Sequence, residues 1–185
     1  RKYMTWTEAI ATPNGWTFIV PTEDSLSLGY LYNKDITSKE EATKDFKERF
    51  KIKEVEYETT FQNYYSVSPF VGERTILNGN QYCFIEPLEA TATVIYQWIA
   101  RVAYDCFIDK RSKSECTYLI ETRVKEIANF VLWHYKTKSK FDSPFWDYAA
   151  NLPFDPINEP VGNELYGGYE SGSFKNWREN TQIQS

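Results

Sequence analysis

A single proline, Pro87, separates two kinds of sequence in this 185-residue chain, and that junction limits the fold more than any other feature. Before it, aromatic and β-branched runs alternate with turn residues, the pattern of short strands. Residues 15–22 and 28–33 read as two strands. Residues 53–60 alternate charged and apolar side chains, which predicts a half-exposed strand. Residues 61–67 and 74–78 extend the strand-rich part, with Pro69 and Gly72 marking a turn. One helix interrupts it: Ser38-Lys39-Glu40-Glu41 is a capping box, and the helix runs to about Phe50 with Ala42, Phe46 and Phe50 on one face.

After Pro87 the period changes to helical. Ile95, Trp98, Ile99, Val102 and Cys106 share one face. A charged connector at 110–113 follows, then a second stripe of Ile120, Val124, Ile127 and Val131 on a helix starting near Ser114. Two long helices with a short link favour an antiparallel pair. Asp142 or Ser143 followed by Pro144 is an N-cap with proline at the first helical position, so a third helix starts there. Beyond Asn151, prolines and glycines break every periodicity. The expected fold class is α+β: a strand-rich part at 1–86, a helical subdomain at 87–150, and an extended or disordered tail at 151–185.

The junction itself has chemical content. Phe84-Ile85-Glu86-Pro87-Leu88-Glu89-Ala90-Thr91 reads as the opening turn of a buried helix. Such a turn aims unpaired backbone N–H groups and a positive partial charge at one spot, which favours an anion. Glu86 and Glu89 stand beside it at a same-face spacing. Acidic residues in a first helical turn also serve simply to complement the dipole, and spacing alone favours that plainer role.

Composition closes off several classes. Aromatic residues make up 17% of the chain, so large rings must be buried or offered to a ligand. The net charge of −5 and the absence of a basic cluster give no reason to expect nucleic acid. No segment has the apolar length of a membrane span. Three scattered cysteines, Cys83, Cys106 and Cys116, fit a reducing compartment, and with no signal peptide in view the expectation is cytoplasmic. The lone His134 has no partner at metal-ligand spacing.

The junction gains meaning from its company. Gly15-Trp16-Thr17-Phe18-Ile19-Val20-Pro21 and Gly29-Tyr30-Leu31-Tyr32 lie upstream, with Leu77-Asn78-Gly79-Asn80 between. His134-Tyr135 and Asp142-Ser143-Pro144-Phe145-Trp146 lie downstream. In this order the set resembles the C-terminal part of the flavin-dependent tryptophan halogenase family, over about residues 14–148. The family's W-x-W-x-I-P appears as Trp16-x-Phe18-x-Val20-Pro21. Its G-Y-x-Y, E-P-L-E-[SA]-T, H-Y and D-[ST]-P-F-W motifs all have counterparts.

The resemblance implies the strand-rich, substrate-side portion of a flavoprotein monooxygenase-like fold, capped by helices. It implies a two-component enzyme: reduced FAD from a separate flavin reductase activates dioxygen, a halide ion is oxidised, and the resulting hypohalous acid crosses a tunnel to an electron-rich indole, pyrrole or phenol. Glu89 takes the position of the catalytic glutamate, and the backbone N–H groups of Thr91 and Ala92 that of the halide site. Ala92 stands where tryptophan-specific members usually carry glycine. Trp16, Phe18 and Pro21 belong to the motif that screens flavin from substrate, and Gly79 and Asn80 fall where backbone meets the cofactor. No G-x-G-x-x-G follows a strand, and none of the lysines sits in the motif of the family's tunnel lysine. The chain therefore reads as a fragment lacking an N-terminal portion, expected to be inactive alone. Two other readings stand beside it: a flavin monooxygenase relative without halogenation, and a non-catalytic aromatic-rich binding module.

Overall fold

The computed structural model describes residues 6–137 and 139–153, except the side chain of Glu89. The predicted tail at 151–185 lies outside the described residues from position 154 onward. The chain divides into two compact units, Arg1–Thr60 with His134–Pro153, and Phe61–Trp133 with Phe154–Ser185. The described residues mix helix and strand, as expected of the α+β class.

The first unit is built on an antiparallel meander of β1 (Glu8–Thr12), β2 (Gly15–Pro21) and β3 (Leu26–Tyr32). Strand β1 is an element that the sequence reading did not include. Thr12 pairs with Gly15 across a two-residue turn, and Phe18 pairs with Gly29. Gly15 is obligatory: a Cβ there would stand 1.9 Å from the Leu31 carbonyl oxygen. Helix α1 (Lys39–Phe50) starts as predicted, with Ser38 Oγ accepting from the Glu41 N–H at 3.2 Å. Ala42 and Phe46 are its buried residues. Phe46 meets the Tyr30 ring at 5.4 Å, and the Tyr30 hydroxyl donates to Asp45 Oδ2 at 2.9 Å. Arg49 grips the same carboxylate through two nitrogens.

The predicted strand at 53–60 does not form. These residues are exposed and carry no regular structure. A strand is stable only when a neighbour takes up its backbone N–H and C=O groups, and alternation alone supplies no neighbour. Glu58 is instead drawn to Lys39 at 2.5 Å and to the Tyr32 hydroxyl at 3.4 Å.

The short helix α4 (Pro144–Ala150, the last of four among the described residues) closes the first unit. Ser143 is its N-cap, and the Ser143 hydroxyl also donates to the Pro13 carbonyl at 2.5 Å. The Trp146 indole N–H donates to the Thr12 carbonyl at 2.8 Å. Both bonds fasten the helix to the β1–β2 turn.

In the second unit the strands shrink to two-residue pairs. These are β4 (Tyr64–Tyr65) with β7 (Cys83–Phe84), and β5 (Phe70–Val71) with β6 (Thr75–Ile76). Gly72, at φ 65°, sits in the predicted turn between the latter two. The unit's core is helical. Helix α2 (Ala92–Phe107) buries Ile95, Ile99, Val102 and Cys106; α3 (Lys113–Lys136) buries Ile120, Val124, Ile127 and Val131, as the stripes predicted. The pair is antiparallel: the Cys116 thiol approaches the Val102 carbonyl, while Trp98 meets Leu119 and Arg123. A second capping box, absent from the sequence reading, starts α3. Glu115 N–H donates to Ser112 Oγ, and Glu115 Oε2 accepts from the Ser112 N–H and hydroxyl. The two Ser112 donors hold the Glu115 carboxyl below its usual range. All three cysteines are buried free thiols.

Candidate functional site

The chain enters α2 through a strained turn. Leu88–Ala90 forms one 3-10 turn, closed by the Ala90 N–H on the Pro87 carbonyl at 3.1 Å. Ala90 then sits at φ 53°, the left-handed region that a non-glycine residue enters only at a cost. Regular helix begins at Ala92 instead of Leu88, because this residue breaks the helical path. Leu88 is buried and anchors the turn. The Glu86 N–H donates to Asn63 Oδ1 at 2.9 Å.

Thr91 is the N-cap of α2 in an unusual way. Its carbonyl accepts from Val94 at 3.1 Å and Ile95 at 3.3 Å, but its side chain makes no capping bond. The residue is only 5% exposed, and Oγ1 has no hydrogen-bond partner among the described residues. A buried hydroxyl without a partner costs roughly 1–3 kcal/mol. Here it stands beside the first N–H groups of a helix, which have no intrahelical acceptor. The hydroxyl and these amides are the donors that this helix start has to offer.

Ala92 opens the helix in ordinary right-handed geometry. The conformational freedom of glycine is not used at that position; the left-handed angle falls on Ala90. The backbone of Glu89 is the middle of the 3-10 turn. Its side chain lies outside the described residues.

Gly79 and Asn80 belong to a second short 3-10 turn, Gly79–Gln81, capped by Asn78 Oδ1 on the Gly79 N–H at 2.7 Å. Gly79 takes φ 59°, and a Cβ placed on it would meet nothing within 4 Å. The backbone there is open to close approach by a flat group. The sequence reading missed the residues that hold this turn. The Tyr96 hydroxyl donates to Asn80 Oδ1 at 2.5 Å, Asn78 Nδ2 donates to the Tyr96 carbonyl at 3.1 Å, and the Tyr64 hydroxyl donates to the Asn80 carbonyl. Each lies 16 or 18 residues from its partner, beyond any local signal.

Trp16, Phe18 and Pro21 lie on β2 in the first unit. Trp16 is buried, and its indole N–H donates to the Tyr135 hydroxyl at 3.0 Å. The tryptophan motif and the H-Y pair are thus joined directly. The rings of Trp16 and Phe18 stand 6.3 Å apart. The far end of the Phe18 ring lies over Gly29, where a Cβ would fall 2.1 Å from its Cζ. This explains the glycine of the G-Y-x-Y strand: it is the seat of the aromatic ring opposite. Among the described residues, no cluster of three or more His, Cys, Asp or Glu side chains could hold a metal, and no helix is long and apolar enough to cross a membrane.

Residues 2–163 match the tryptophan halogenase family along nearly the whole chain. The chain belongs to that family. It is similar to tryptophan 7-halogenase RebH of Lentzea aerocolonigenes, 27% identical over 95% of this chain and 37% of the relative. Tryptophan 6-halogenase ThaL of Streptomyces albogriseolus is also 27% identical, over 93% of this chain and 36% of its own length. Among solved structures, that of MibH, a tryptophan 5-halogenase, superimposes with a TM-score of 0.71 at 21% identity, over 95% of this chain and 35% of that one. The last is a likeness of fold. The chain spans a little over a third of the length of the curated relatives it matches.

Proposed function

We propose that the whole protein carrying this chain is a flavin-dependent halogenase acting on a small electron-rich aromatic: an indole, a pyrrole or a phenol. The observation that carries the reading is the buried Thr91 hydroxyl at the start of α2, without a partner among the described residues and two positions after the E-P-L-E run. That arrangement fits a halide, a small anion that needs donors and little else. The open backbone at Gly79 fits the flat ring system of a flavin.

Reduced FAD, delivered by a separate reductase, would when bound activate dioxygen, which is the oxidant of the halide. The residues of this chain take the following parts. Thr91 and Ala92 hold the halide through backbone N–H groups, helped by the Thr91 hydroxyl. Glu89 sets a carboxylate by the substrate ring, where it stabilises the cationic ring intermediate and accepts the departing ring proton. Glu86 braces the turn. Gly79 and Asn80 offer backbone to the cofactor. Trp16 and Phe18, with Pro21 ending the strand, keep the substrate away from the flavin; Phe18 lacks the indole N–H of the usual tryptophan but keeps a ring held over Gly29. Three buried free thiols support a cytoplasmic setting.

The test is a halogenation screen of the whole protein with reduced FAD, oxygen and chloride, bromide or iodide, read by mass spectrometry. Halogenated indole, pyrrole or phenol is expected. Hydroxylated product alone would favour a monooxygenase, and no flavin binding at all a non-catalytic binding module. Thr91→Val removes the hydroxyl at nearly constant shape and should raise the apparent halide KM roughly 3- to 10-fold, the worth of one hydrogen bond.

A further inference from the structure

The Gly79–Gln81 turn and helix α2 are joined by a latch. Tyr96 stands four residues after Ala92, on the same face of α2. Its hydroxyl reaches Asn80 Oδ1 at 2.5 Å, and its carbonyl is reached by Asn78 Nδ2 at 3.1 Å. The two bonds tie the side chain and the backbone of one helical residue to both ends of the Asn78–Gly79–Asn80 bend. Gly79 itself, at φ 59° with open space where a side chain would be, is held by the turn's own bonds: its N–H donates to Asn78 Oδ1 at 2.7 Å and its carbonyl accepts from the Tyr82 N–H at 3.0 Å. Burial, then the nearby Cys83 and Tyr64, push the Tyr96 phenol above its ordinary range, so it remains a donor at neutral pH.

We infer that Tyr96 is a positioning residue: by gripping Asn80 it fixes the open Gly79 backbone relative to the first turn of α2, so that the flavin-facing turn and the anion-facing amides keep one spacing. The inference rests on the halogenase reading for what the two faces hold, but the latch can be judged without it. Two groups that must meet during reaction are effective only when held to within a fraction of an ångström. Free rotation of the bend at Gly79 would spend binding energy on ordering it.

The experiment uses the whole protein and Tyr96→Phe, with Tyr104→Phe, an exposed tyrosine on the same helix, as control. Hydrogen exchange at the amides of Asn80, Gln81 and Tyr82 is measured without ligand. Oxidised FAD is titrated by fluorescence quenching. Tyr96→Phe should speed exchange at these amides and weaken FAD binding about 3- to 10-fold, the loss of one hydrogen bond; Tyr104→Phe should change neither. A merely structural defect would lower the folded fraction and leave the affinity of the remaining protein unchanged. Unchanged exchange in Tyr96→Phe overturns the latch. Faster exchange with unchanged FAD affinity overturns its positioning role. If the wild type binds no FAD, the halogenase reading falls, and the exchange result alone decides the latch.

Discussion

The two compact units solve the same problem with different means. In the first, three strands pair fully and side chains far apart in sequence lock them: Trp16 to Tyr135, Trp146 to Thr12 and Ser143 to Pro13. In the second, strands are two residues long and order comes from the α2–α3 pair. Its non-helical stretch exposes apolar side chains, Val67 to 96%. The second unit also holds the left-handed Ala90, the orphan Thr91 hydroxyl and the open Gly79. Both units bury hydroxyls without a partner among the described residues, Thr12 and Thr17 in the meander and Tyr82 and Thr91 in the second unit; what sets the second unit apart is that its two 3-10 turns, with left-handed Gly79 and Ala90, lie where the proposed chemistry does. In the proposed reading the paired strands are the scaffold and carry the Trp16–Phe18 screen, while the irregular turns carry the anion and cofactor contacts.

The largest test of that contrast is Glu89→Gln. It should cut halogenation by roughly 10²–10⁴-fold in the whole protein while FAD binding persists, as expected for loss of a general base. Full turnover in this variant would remove the chemistry from the second unit. The counterpart in the first unit is Trp16→Ala, which deletes a buried ring and its hydrogen bond to the Tyr135 hydroxyl. A stability loss of about 3–5 kcal/mol in urea unfolding is expected. A loss below about 1 kcal/mol would deny the meander its role as scaffold.

Gly29→Ala is next. The new methyl must displace the Phe18 ring, at an expected cost of about 1–3 kcal/mol. Combining it with Phe18→Ala should cost less than the sum of the two single changes; strict additivity would show that ring and glycine do not interact.

The smallest effect separates the units by pH. Burial, then the Asp45 carboxylate, pushes the Tyr30 phenol up to about 12, against a lowering contribution from Thr12, and burial, then Glu121, pushes Tyr82 up to about 12. Both folded values lie above the unfolded one of about 10. Their contribution is therefore complete below pH 10 and lost as pH rises from about 10 to about 12. Tyr30→Phe and Tyr82→Phe should each flatten that alkaline decline in urea midpoint. At pH 7 the two should differ: Tyr30 loses its bond to Asp45, whereas the Tyr82 hydroxyl has no partner among the described residues to lose. Equal midpoints for the two variants at pH 7 would break the distinction.

What could be read in advance followed from local physics. The Ser38 cap, the cap expected at Asp142 or Ser143 and the stripes of α2 and α3 are encoded within one or two turns; the structure agrees with each and picks Ser143. The strand expected at 53–60 failed because alternation describes a face, and a strand also needs a neighbour. Strand β1, with only Ile10 and Thr12 as β-branched residues, was missed for the opposite reason: pairing with β2 makes it a strand. Of the proposed site, the ordered motifs named Thr91, Ala92 and Gly79, and the structure shows the local geometry of each. The left-handed angle at Ala90, the seat of Phe18 on Gly29 and the grip of Tyr96 on Asn80 are properties of chain segments brought together, and no window of sequence contains them.

The left-handed alanine carries a practical consequence for engineering. Glycine at position 90 would relieve the clash between Cβ and the neighbouring carbonyl, worth about 1–2 kcal/mol, while loosening the denatured chain by a comparable amount. The two changes nearly cancel in a melting curve. Screening for thermostability would pass over this position in silence, and only a measurement sensitive to the shape of the bend would register it.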